Sequence, residues 1–176
     1  MIDLSAAAAL IKEFEGLKDG DLSTPNLDPY LCPTGYWTIG WGHVVANAKG
    51  VMLKGLGKKG LGKKAEARAI YPNGITIQEA EALLADDLRR FSAGVAGLVD
   101  VDLSNNQVNA LVSFAFNVGI GAFAASTLLK AINRKEFYLV TSEMRRWNKG
   151  TVNGKRQALA GLTRRREAEA QLWQRP

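Results

Sequence analysis

Few side chains in this sequence could carry bond-breaking or proton-transfer chemistry. There is one histidine, His43, and one cysteine, Cys32. No His/Cys/Asp/Glu cluster has metal-ligand spacing, so no metal is expected. No GxGxxG, P-loop or GxSxG pattern is present, so neither a nucleotide cofactor nor a serine nucleophile is expected. Carboxylates remain, and Glu15 stands apart from the others. It follows Ile11 by four residues and Ala8 by seven, which places it on the apolar stripe of a helix, whereas Glu13 turns toward solvent. It also closes that helix, where the macrodipole disfavours negative charge. Partial burial and the dipole both raise a carboxyl pKa. A carboxylic acid that keeps its proton near neutral pH can hand it to a leaving oxygen. The plainer reading is a helix-end Glu neutralised by one of the many arginines.

The elements that must position these groups follow from pattern. Ala7, Leu10, Ile11 and Phe14 recur at helical spacing over about Leu4–Glu15, and Gly16 stands where a C-terminal cap belongs. Breakers fill Asp19–Pro29. Strand-type residues Tyr30–Cys32 and Tyr36–Trp41 flank Pro33-Thr34-Gly35 and read as a hairpin, with Trp37, Ile39 and Trp41 on one face and Tyr36, Thr38 and Gly40 on the other. Residues 45–72 contain the near-repeat Gly55-Leu-Gly-Lys-Lys59, Gly60-Leu-Gly-Lys-Lys64 and are expected to form a flexible loop with a short helix near Ala65–Ile70. From Thr76 the chain reads as helical. Thr76-Ile-Gln-Glu79 and Ser104-Asn-Asn-Gln107 fit capping boxes. The first opens a helix with the stripe Leu83, Leu84, Leu88, Phe91 and Val95. The second opens a largely apolar helix that should be buried, ended by Gly119 and Gly121. Shorter helices are expected near Ser126–Ile132, Glu136–Trp147 and Gly161–Trp173.

The fold class is therefore α+β, mostly helical, with one small N-terminal sheet. A length of 176 residues suits a single domain of two lobes. The small lobe spans about 17–75, with insertions near 19–26 and 50–64. The helical lobe spans about 76–176 and includes the N-terminal helix, leaving a cleft between the lobes. No stretch reaches the roughly 20 apolar residues that span a bilayer. The Ala6–Leu10 run is too short for a signal peptide, and Asp3 rather than a cation precedes it. A net charge of +6 favours an anionic partner. The patterned arginines and aromatics of a nucleic-acid binder are missing, so nucleic acid is not expected. Arg164-Arg165-Arg166 reads as a solvated face of the last helix, and the chain as a monomer.

Phe14-Glu15-Gly16-Leu17, followed by Tyr30-Leu-Cys-Pro-Thr-Gly-Tyr-Trp-Thr-Ile-Gly-Trp-Gly-His43, resembles the phage-type lysozymes of glycoside hydrolase family 24. There a catalytic Glu ends the first helix, an Asp or Cys follows in the first strand, and a Thr comes after five more residues. Glu15, Cys32 and Thr38 match those positions. Asn73–Glu81, Gln107–Gly119 with Phe123 and Ser126-Thr-Leu-Leu, Arg146-Trp147 and Gly161–Glu169 resemble the family's later helices in order. Sixteen residues separate Glu15 from Cys32, about twice the family's usual spacing, so the loop between them is longer.

The resemblance implies hydrolysis of the β-1,4 bond between N-acetylmuramic acid and N-acetylglucosamine in bacterial peptidoglycan, with inversion. Glu15 would protonate the glycosidic oxygen, and a water held by Cys32 and Thr38 would attack from the opposite face. Inverting enzymes leave room for that water, with their catalytic groups about 6.5–9.5 Å apart. Cys32 has several readings: a thiolate base, a group that only positions the water, a transient nucleophile, or small buried filler, with Asp28 and Asp19 as fallback carboxylates. His43, Val44, Phe116 and Ser126 match positions that line the sugar site, although His43 also reads as structural and Phe116 as core. The partner implied is peptidoglycan, with electrostatic contact to anionic wall or lipopolysaccharide. The site of action implied is the host cell wall, reached from the cytoplasm once a separate protein has opened the membrane. A lytic transglycosylase, using one acid and making an anhydro sugar, is the competing enzyme class.

Overall fold

A computed structural model describes residues 2–55, 63–152 and 154–176. The element order is α1 (Ser5–Glu15), β1 (Tyr30–Leu31), β2 (Trp37–Ile39), β3 (His43–Val44), α2 (Lys64–Ile70), α3 (Ile77–Ala96), α4 (Asn105–Val118), α5 (Ile120–Ala124), α6 (Thr127–Asn133), α7 (Phe137–Arg145), β4 (Lys149–Val152), β5 (Lys155–Ala158) and α8 (Ala160–Gln174). The fold is mostly helical with a small antiparallel sheet, as the pattern predicts. It divides into two compact units, residues 15–87 and residues 1–14 with 88–176, so α1 and α3 each contribute to both.

The unit of residues 15–87 is built on the sheet β1-β2-β3, antiparallel throughout. Trp37, Ile39, Val45, Leu53, Ala67, Ile75 and Ala80 form its core, with Leu27, Leu31, Trp41, Tyr71 and Leu83 packed around them. Trp37, Ile39 and Trp41 thus share the apolar side that their alternation predicts. The stretch after the sheet departs from expectation. The backbone of Leu53 bonds to both Trp37 and Val45, and its side chain is fully buried, so residues 45–55 extend the sheet instead of looping freely. One leucine with two backbone partners outweighs the local glycines and lysines. The short helix near Ala65–Ile70 is present as α2, and the central part of the Gly-Lys repeat, residues 56–62, lies outside the described residues.

The long loop before β1 is likewise fastened. The Asp28 amide donates to Asp19, Arg68 reaches the Asp21 carboxylate at 2.5 Å, and Leu27 bridges Ile75 in both directions. The Asp21 carboxyl is held down at about 2, first by the Ser23 hydroxyl and then by Arg68.

In the other unit α4 is the buried centre: every residue from Asn109 to Ala115 is inaccessible. Ser104 and Gln107 cap its start reciprocally, as the sequence predicts. Asn109 accepts from the Ala7 amide and donates to the Asp3 carbonyl, fixing the start of α1 on α4. Helix α8 packs on α4 and α7. Here the expectation of a solvated arginine face is overturned. Arg165 and Arg166 are buried, and both face Glu169, itself buried, whose carboxylate also accepts from the Ser113 hydroxyl. A carboxylate three and four residues ahead makes burial of two guanidiniums possible. The hairpin β4–β5 is a second departure: its polar strands lack the apolar alternation by which a strand is recognised.

Candidate active site

Glu15 is the last residue of α1 and is half-buried, while Glu13 is exposed. The stripe that carries it buries Ala7 and Ile11 completely. Gly16 ends the helix at φ +65°, the left-handed conformation that a C-terminal cap needs.

The hairpin that follows is a three-residue loop of defined type. The Cys32 amide bonds to the Tyr36 carbonyl and the Gly35 amide to the Cys32 carbonyl, both at 2.9 Å. Pro33 presets the first turn residue, and Gly35 takes φ +85°, a left-handed position that a β-carbon would strain. In this register Thr38 pairs with Tyr30 across the strands.

The turn therefore gathers hydroxyls around the thiol. The sulfur of Cys32 lies 3.0 Å from Thr34 Oγ1, and the Thr38 hydroxyl also reaches it. Burial alone would raise the thiol pKa. The two hydroxyls and the backbone amides of Tyr36 and Thr34 outweigh it, leaving the pKa below its ordinary value. Thr38 is buried and also donates to the Tyr36 carbonyl at 3.1 Å. Tyr30 carries the field of this group in its phenol, whose pKa is raised by burial and by the charges of Glu15 and Cys32. Glu15, Tyr30, Cys32 and Thr38 are thus electrostatic neighbours within one unit. A sulfur set among these hydroxyls and amides could polarise a water or hold it in place.

His43, in β3, places Nδ1 at 2.9 Å from a carboxylate oxygen of Asp87, which is buried. Val44 follows in β3 and is half-buried. Asp28 and Asp19 are engaged within their own loop, Asp28 by the Thr24 hydroxyl at 2.6 Å and Asp19 by the amides of Asp21 and Asp28. Phe116 is half-buried in the other unit, its ring 5.2 Å from that of Phe91. Ser126 is buried and caps α6, accepting from the Leu129 amide and donating to the Phe123 carbonyl.

Three residues of this neighbourhood escaped the sequence reading. Asp87 could have been found, since it falls four residues after Leu83 on the apolar stripe of α3, the same signal that marks Glu15. Thr34 and Tyr30 carry no such signal, because only the turn geometry and strand register bring them to the thiol and to Glu15.

Comparison with known proteins matches residues 12–169 to the phage lysozyme family. The chain is 34% identical over 165 residues to an endolysin of Acyrthosiphon pisum secondary endosymbiont phage 1, covering 94% of this chain and 92% of that protein. It is also 34% identical to an endolysin of Bacillus phage B103, of whose length it spans 52%. Among solved structures it is similar to the muramidase domain of SpmX from Asticaccaulis excentricus, with a TM-score of 0.73 and 32% identity over 100% of this chain and 99% of that one. An endolysin from Escherichia coli O157:H7 phage FAHEc1 superposes with a TM-score of 0.73 at 30% identity, covering 99% of this chain and 93% of that one. The chain belongs to the phage lysozyme family and is a lysozyme hydrolase.

Proposed function

We propose that this lysozyme cuts the β-1,4 bond between N-acetylmuramic acid and N-acetylglucosamine in peptidoglycan by single displacement with inversion, in the course of phage-driven host lysis. Glu15 gives its proton to the glycosidic oxygen as the bond to the anomeric carbon breaks. A water on the opposite face, positioned by Thr38, gives its proton to the Cys32 thiolate as its oxygen forms the new bond to the anomeric carbon. His43 is held through Asp87 and Val44 flanks it. In this reading Phe116 offers apolar surface to the sugar, and Ser126 acts structurally through its cap. Access to the wall follows opening of the inner membrane by a separate protein, and net positive charge assists capture on the anionic wall.

The observation that carries the reading is the grouping of Glu15, Cys32 and Thr38 about Tyr30, with the carboxyl at a helix end and the sulfur in hydrogen-bond contact with the turn hydroxyl. Its test is Glu15→Gln, which keeps shape and removes the acidic proton. Lysis of purified walls should fall by at least about 10²–10⁴-fold, with an unchanged circular dichroism spectrum. Residual lysis above about a tenth of the parent would place the acid on another residue.

A further inference from the structure

Residues 144–166 contain no Asp or Glu but eight cations. Four of the eight are neutralised: Arg145 by Glu167, Arg146 by Glu143, and Arg165 and Arg166 by Glu169. Lys149, Lys155 and Arg156, all on the β4–β5 hairpin, and Arg164 form no ion pair among the described residues. Seven of the hairpin's eight strand residues are exposed, Gly150 alone being partly covered.

The register sorts these residues by face. Thr151 pairs with Arg156 and Lys149 with Ala158, while Gly150 pairs with Gln157 and Val152 with Lys155. Paired residues share a face, and alternate residues along a strand share it too. The Gly150 face also carries Asn148 and Leu159, and it turns toward α8, where the Asn148 amide donates to the Thr163 hydroxyl and Leu159 is half-buried. Lys149, Thr151 and Arg156 therefore point away from the protein on the other face. Lys149 and Arg156 are diagonal neighbours, about 7–8 Å apart at that register. Two cations so close, with a hydroxyl beside them and no acid to pair with, repel each other until an anion arrives. A carboxylate fits the set: the guanidinium fork can take both oxygens, and the ammonium and hydroxyl can share one.

We propose that this outward face binds the carboxylates of the peptide side chains borne by the wall polymer, as a contact separate from Glu15, Cys32 and Thr38. The inference rests on the proposed wall substrate. It gives the enzyme a hold on the acidic peptides, whereas the chemistry acts on the sugar.

The test uses the full chain carrying Glu15→Gln, so that walls stay undigested, and measures retention on purified walls at low salt. The walls are used both native and after amidation of their carboxyl groups. Adding Lys149→Gln and Arg156→Gln should weaken retention on native walls about three- to tenfold, the combined worth of two exposed charge contacts. That difference should vanish on amidated walls. Lys130→Gln with Arg134→Gln, which removes the same charge from exposed positions elsewhere, should stay within about twofold of the parent. With Glu15 restored, the hairpin variant should cleave short soluble glycan oligomers at the parent's rate, which certifies its fold.

Equal retention of hairpin variant and parent, an equal loss in the control pair, or a difference that persists on amidated walls would overturn the proposal. So would a loss seen on vesicles of anionic lipid but not on walls, which would assign the face to lipid. A parent that neither binds nor cleaves walls would instead overturn the wall substrate itself.

Discussion

Two glutamates sit on helices where an apolar residue would be expected, and their surroundings are opposite. Glu169, in α8, is fully buried and meets Arg165, Arg166 and the Ser113 hydroxyl. Burial pushes its carboxyl up, and the guanidiniums of Arg166 and Arg165 and then the hydroxyl pull against that. Glu15 is half-buried at a helix end, with Tyr30 and the Cys32 turn as electrostatic neighbours. Position on an apolar stripe therefore does not by itself mark an acid catalyst. Its surroundings decide, since a carboxyl fully buried between two guanidiniums has no substrate to reach.

The contrast can be broken by isosteric substitution at both places. Glu15→Gln should cost about 10²–10⁴-fold in turnover and little in melting temperature. Glu169→Gln should do the reverse, lowering stability by about 3–5 kcal/mol because two buried guanidiniums lose their counter-charge. Turnover per folded molecule should be unchanged in that variant. Denaturant unfolding and wall-lysis assays on both proteins check the pair. Loss of turnover in folded Glu169→Gln would remove the distinction between structural and chemical carboxylates.

The next largest effect concerns the thiol. Cys32→Ser should lose at least about tenfold in lysis, because a serine hydroxyl is a far poorer base than a thiol whose pKa the surrounding turn lowers. Cys32→Asp should keep substantial activity, because a carboxylate can accept the same hydrogen bond. A serine variant as active as the parent would make Cys32 packing and leave the water to Thr38. With one cysteine in the chain, no internal disulfide can form, and reductant should not change the rate.

The hairpin turn sharpens the same comparison at smaller scale. The Thr34 and Thr38 hydroxyls favour the charged thiol against the cost of burial. Alkylation of Cys32 should therefore accelerate with pH about a midpoint below that of a free thiol. Thr34→Ala should move the midpoint upward, and Thr34→Ser should restore it. An unmoved midpoint would show that the 3.0 Å contact does not stabilise the thiolate.

The smallest effect belongs to the loop before β1. The Asp21 carboxyl titrates near 2 in the folded protein against an ordinary 3.8. A depressed acid adds stability that is complete above the ordinary value and is lost as pH falls toward 2. Because Asp21 sits at the surface, Asp21→Asn should alter stability slightly at pH 7 and not at pH 2, as read by thermal melts at both values.

Much of the fold was legible in the sequence where one strong local signal sufficed. Helix α1 with its Gly16 end, the Cys32–Gly35 turn and the two capping boxes all appear where pattern places them. What was hidden depends on partners far along the chain. Leu53 is recognisable as core only once Trp37 and Val45 flank it, and the Arg165–Arg166 pair is buried only because Glu169 and Ser113 converge on it. The β4–β5 hairpin was missed for another reason, since its strands bury almost nothing and so leave no hydrophobic period. At the site, spacing on the apolar stripe singles out Glu15. Cys32 and Thr38 are candidates only through the family resemblance, and Thr34, Tyr30 and Asp87 depend on register and helix packing.

The central claim is inverting hydrolysis at the muramic acid carbon, and product analysis tests it most directly. Peptidoglycan digested by the purified chain in ¹⁸O-water should yield fragments with a reducing N-acetylmuramic acid that carries the label, seen by mass spectrometry. Proton NMR during the first turnovers should show the α-anomer forming before mutarotation. Anhydro-muramic ends without label, a reducing N-acetylglucosamine, or an initial β-anomer would contradict the account.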